Sequence, residues 1–65
     1  MYLIEHPNYQ SVKIDSYDAV IDLLDRLIDK VELYQLTITE YEIDKTAESG
    51  RAVVDHWNAE DFYSS

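Results

Sequence analysis

Tyr17, Val20, Ile21, Leu24, Leu27, Ile28 and Val31 recur at i, i+3, i+4, i+7, i+10, i+11 and i+14, one apolar stripe at the period of an α-helix. Such a stripe has to be buried against another element, so it constrains this chain more than any other feature. Asp15 or Ser16 suits its N-cap, Asp18 falls in the first turn and Lys30 in the last, which matches the sign of the helix dipole at each end.

The flanking segments supply a sheet. Met1 to Glu5 is apolar and β-prone, His6-Pro7-Asn8 has turn chemistry, and Tyr9 to Ile14 resumes an extended pattern, with Gln10, Val12 and Ile14 on one face. An N-terminal hairpin follows. From Leu33 to Asp44 the pattern alternates as a long strand, with Tyr34, Leu36 and Ile38 facing one way. After Thr39 the phase changes: Glu40 and Glu42 replace apolar residues while Tyr41 and Ile43 take the other register, as a β-bulge or an edge position would require. Lys45 to Gly50 reads as a loop. Ala52 to Trp57 reads as a fourth strand, which Val53-Val54 favours over the alternative of a short helix, and residues 58–65 read as a mobile tail. The expected fold is α+β, a single domain over 1–65 in the order ββαββ, with one helix on one face of an antiparallel sheet. Its other face needs water, a second copy or a partner.

A chain of 65 residues is near the lower limit for a self-sufficient core, and with no cysteine it has neither disulfides nor paired-cysteine zinc sites to supplement it. The absence of cysteine suits a reducing cytoplasm. The longest apolar stretches, Tyr2 to Ile4 and Ala19 to Ile21, are far shorter than a membrane span or signal peptide, so a soluble protein without membrane partners is expected.

Fourteen Asp and Glu against five Lys and Arg give a formal net charge of -9, which repels nucleic acid and anionic lipid and attracts basic protein surfaces. Within the helix, Asp18, Asp22, Asp25 and Asp29 form a row at i, i+4, i+7 and i+11. Like charges at this spacing cost local stability, and Arg26 and Lys30 offset only part of that cost. Acid continues through Glu32, Glu40, Glu42 and Asp44. Two readings fit: carboxylates held where a nucleic-acid enzyme expects phosphates, or a solvated face that keeps a small protein soluble. Among the six tyrosines, Tyr9 and Tyr41 fall on the strand faces away from Val12 and Leu36, where exposed rings would serve a partner or a homodimer. Tyr34 and Trp57 are expected to fill the core.

Catalysis finds little support. His6 and His56 are too far apart for a local metal motif, and there is no nucleophile elbow, glycine-rich phosphate loop or calcium-loop spacing. No enzymatic activity, metal or cofactor is expected.

The small size, the absence of cysteine, the excess acid and the Asp18/Asp22/Asp25/Asp29 row together resemble, as a class, the small acidic inhibitors of bacteriophages and mobile elements. These include anti-CRISPR and anti-restriction proteins and inhibitors of uracil-DNA glycosylase. The resemblance implies a DNA-mimic inhibitor, often dimeric, acting in the bacterial host cytoplasm on the nucleic-acid-binding channel of a defence or DNA-processing enzyme. An immunity protein or antitoxin neutralising a basic toxin, and a general protein-interaction module, are alternatives.

Overall fold

The computed structural model describes residues 1–64. Strands β1 (Tyr2–His6), β2 (Tyr9–Ile14), β3 (Thr37–Ile43) and β4 (Arg51–Asn58) form one antiparallel sheet in the order β2-β1-β3-β4. Helix α1 (Tyr17–Leu27) joins β2 to β3, and a second helix, α2 (Ala59–Ser64), follows β4 directly. The α+β class is as expected. The order ββαββ needs correction, because a 3-10 turn at Leu33–Gln35 and the helix α2 were not foreseen.

β1 is antiparallel to both β2 and β3, so those two run parallel with β1 between them, and α1 is the crossover that links them. This path holds α1 over one face. On that face Ile4 stands opposite Val12 and Ile38, and Ile38 opposite Trp57, so four strands contribute to one apolar row. Val20 and Leu24 from α1 close over it and are fully buried with Ile38. Ile4, Leu36, Ala59 and Phe62 complete the core, and among the described residues no polar or charged side chain is buried.

Helix α1 starts as its sequence requires. The Ser16 side chain accepts from the Ala19 N–H at 3.2 Å, a side-chain cap on an otherwise unpaired donor. It ends earlier than the stripe. Both Lys30 and Val31 donate to the Leu27 carbonyl, at 2.8 and 2.9 Å, so the last turn tightens and residues 28–30 leave the helix. Val31 still packs on the core, whereas Ile28 is exposed.

The expected strand from Leu33 also needs correction. Gln35 and Leu36 donate back to the carbonyls of Glu32 and Leu33, a 3-10 turn that delays β3 until Thr37 and breaks the alternation before Leu36. Tyr34, expected in the core, is therefore 59% exposed. Farther along, Glu40 pairs with Asp55 but Tyr41 pairs with Val53, so the bulge falls in β4 at Val54. β3 itself alternates without a break. Its apolar residues pass from the helix-covered face, at Ile38, to the open face at Tyr41 and Ile43.

Of the tail expected at 58–65, Ser65 lies outside the described residues, and residues 59–64 form α2. Asn58 starts this helix: its Oδ1 accepts from the Glu60 N–H at 3.0 Å while its Nδ2 donates to the Tyr34 carbonyl at 2.6 Å. Ala59 N–H donates to Leu36 O at 2.9 Å. These contacts aim Phe62 into the core, with ring centroids 5.1 Å from Trp57, 5.1 Å from Tyr17 and 5.9 Å from Tyr2. Trp57, expected to fill the core, packs against it while remaining partly exposed.

A chain of this size has a net stability of about 3 to 10 kcal/mol. Removing a buried phenylalanine ring costs about 3 to 5 kcal/mol. Phe62→Ala is thus expected to remove a third or more of the stability and to bring the urea midpoint far below that of the wild type, as read by far-UV circular dichroism.

Candidate functional site

The 3.6-residue helical period puts Asp18, Asp22 and Asp25 within an arc of roughly 60° on α1, with about 10 Å of axial rise from first to last. All three are exposed, on the far side of the helix from Val20 and Leu24. Asp18 sits in the first turn, where the helix dipole favours a carboxylate. Asp22 and Asp25 have no such compensation. Among the described residues, none of the three is ion-paired with a lysine or arginine.

Asp25 has a partner of another kind. The Tyr63 hydroxyl donates to its Oδ1 in a hydrogen bond that ties α2 to α1. That bond to a carboxylate raises the Tyr63 pKa above the ordinary phenol value, because ionising the phenol would remove the donor. Glu60, three residues before Tyr63, lies on the same face of α2 and is exposed, so it adds acid beside this junction. Tyr63 was not singled out in the sequence, although the spacing Ala59, Phe62, Tyr63 behind an asparagine cap is a readable helical signal.

The other candidates are distributed over different elements. Asp29 and Glu32 are exposed in the segment between α1 and the 3-10 turn, so Asp29 continues the row only beyond the end of the helix. Glu40, Glu42 and Asp44 belong to the β3–β4 hairpin and its loop. Glu40 is half-buried beside Tyr2, its ladder partner; burial of the Tyr2 phenol raises its pKa, and the neighbouring Glu40 charge adds to the rise. Glu42 is exposed. Asp44 organises the loop, accepting from the Thr46 N–H at 2.9 Å and the Thr46 hydroxyl at 2.6 Å. The loop closes at Gly50, whose φ of 77° lies in the left-handed region that glycine tolerates.

Of the two tyrosines expected at the surface, Tyr9 is exposed at the β1–β2 turn, but its face needs correction: the register slips between Ile4 and His6, so Tyr9 pairs with His6 and lies on the same side of the sheet as Val12, its ring tilted against His6 with centroids 4.7 Å apart. Tyr41 requires correction, being only 5% exposed. It lies on an interior strand, flanked by the backbone of Met1, which pairs with it through bonds of 2.8 and 3.0 Å, and its ring is capped by the Arg51 guanidinium at 5.1 Å. Beside it the open face shows Ile43 and Val53, 71% and 66% exposed.

Set against known protein families, curated proteins and solved structures, the chain matches none of them. No helix among the described residues is long and apolar enough to cross a membrane.

The Thr46 side-chain and backbone hydrogen bonds hold the Asp44 carboxyl below the usual carboxylate range. A depressed folded-state pKa stabilises above the unfolded value, about 3.9 for aspartate, and that contribution disappears as pH falls through the lower folded value. Asp44→Asn is therefore expected to be less stable than the wild type at pH 7. The difference should begin to narrow at about pH 4 and close only as the pH falls through the lower folded value, in urea unfolding curves taken across that range.

Proposed function

We propose that this chain is a non-enzymatic acidic inhibitor that occupies the basic, nucleic-acid-binding channel of a host defence or DNA-processing enzyme, its carboxylates standing where phosphates would bind. The observation that carries this reading is the face of α1: Asp18, Asp22 and Asp25 are exposed together on a helix held firmly by Val20 and Leu24, with no internal cation drawn to them among the described residues. Fixed charge on a rigid element is what a phosphate substitute needs, since a basic channel rewards position as well as sign. Scale agrees as well. The molecule measures 40 × 24 × 16 Å. Over that longest dimension one DNA strand carries about 12 charges, comparable with the formal net charge of -9. The same charge disfavours direct binding of nucleic acid.

A homodimer is a second element of the reading, favoured by Ile43 and Val53 on the open sheet face. Sedimentation velocity should then show a dimer that Val53→Lys converts to monomer.

The inhibitor reading is tested with Asp18→Asn/Asp22→Asn, which leaves Asp25 to hold Tyr63. Proteins captured from a bacterial extract by the wild type should be released by duplex DNA. Their affinity should fall roughly tenfold or more on raising salt from low to physiological, and fall again in the double variant. Captured proteins indifferent to duplex DNA and retained by the variant would remove the case for phosphate mimicry.

A further inference from the structure

Between α1 and the covered face of β1 and β2 the core is not closed. Leu23 and Leu27 from the helix, Ile4 and Val12 from the strands, and Val31 and Leu36 surround a cleft of about 330 Å³ that is almost wholly apolar. This is within the range of clefts that hold a buried ligand group, roughly 300 to 1,000 Å³. Val12 and Tyr9 at its lip are 44% and 66% exposed, so an apolar surface continues outward from it.

A second depression of about 300 Å³ adjoins the first, with a polar lining that includes Asp29, Glu32 and Gln35. The two share His6, Tyr9, Lys30 and Val31 as a common wall. The tilted Tyr9–His6 ring pair forms its ridge, and His6 is fixed from both sides, its Nδ1 accepting from the Asn8 N–H at 3.0 Å and its Nε2 bonded to Gln35 Oε1 at 3.2 Å. Lys30 lines the apolar side, as the methylene stem of a lysine readily does. In the polar depression two carboxylates stand against its single ammonium.

From this adjacency we infer that the cleft and the depression together form a docking site for an apolar side chain flanked by lysine or arginine on a protein partner, the apolar group entering between Leu27 and Val12 and the cation reaching Asp29 and Glu32. The inference rests on the reading of a basic protein target and adds what would hold that target. Diffuse charge accelerates encounter, whereas a desolvated apolar anchor slows dissociation. An acidic surface by itself would bind any polycation. The cleft makes the interaction selective for a protein surface that carries a hydrophobic group among its basic residues.

The test uses the labelled full chain and two probes, the acetylated and amidated tripeptides Arg-Leu-Arg and Arg-Ser-Arg, followed by amide chemical shifts. The leucine probe is expected to bind about tenfold more tightly, the least that burying a leucyl side chain provides, with shifts centred on Val12, Leu27 and Val31. Val12→Asp, at an exposed edge-strand position, should abolish the preference for leucine, and Glu32→Gln, in an exposed turn, should weaken both probes severalfold. Equal binding of the two probes, or shifts confined to Asp18 and Asp22, would overturn the docking site. If the leucine preference is absent while capture through Asp18 and Asp22 persists, the anchor falls and the inhibitor reading stands. If the preference holds while duplex DNA fails to displace captured proteins, the anchor stands and channel blocking falls.

Discussion

Phe62 is the contact on which the rest of the molecule depends. Its ring meets Tyr17 at the start of α1, Tyr2 on β1 and Trp57 on β4, so a single side chain joins both ends of the chain to the crossover helix. Edge-on and tilted aromatic pairs contribute beyond the area they bury, roughly 0.5 to 1.5 kcal/mol each. In a core of so few side chains, such a junction substitutes for the second layer of helix that a larger domain would have. Asn58 and the Leu36 carbonyl set the angle at which α2 leaves β4, and so determine where that ring lands.

The complete exclusion of charge from this core follows from the same economy of size. A buried carboxylate would need a partner and several hydrogen bonds to offset its desolvation, and no room exists for them. All the acid is therefore displaced outward, where it stabilises little and costs some self-repulsion. The fold is indifferent to the identity of most of these residues. A function that reads charge can then change the surface without changing the scaffold, so long as Asp25 keeps Tyr63 and Asp44 keeps Thr46.

The elements that repeat with a clean period were legible in the sequence. The stripe gave α1, His6-Pro7-Asn8 gave the first hairpin, and Val53-Val54 marked β4 correctly. What escaped was set by contacts between distant segments. Leu33 to Gln35 has the alternation of a strand, but Asn58 binds the Tyr34 carbonyl from across the fold and the local chain curls into a 3-10 turn. Tyr41 lies on the face its alternation predicts, yet its ring is capped there by Arg51 while its backbone pairs with Met1, contacts that no local pattern announces. Of the acidic row, the part inside α1 was readable from spacing alone. The departure of Asp29 from it depended on where the helix would tighten, and the neighbourhood of Asp29 with Tyr9 and His6 depended on the crossover.

The position of β1 between two partners has a kinetic consequence. Its pairing with β2 closes only a tight turn, and β3 and β4 likewise pair across a short loop, but Ile4 and Ile38 meet only after the whole crossover has been looped back. Closure entropy grows with the length of chain enclosed, so two ribbons form cheaply and the line along which they meet forms last. The molecule is thus assembled as halves zipped along a central seam, and that seam, not either outer strand, governs how fast the native state is reached.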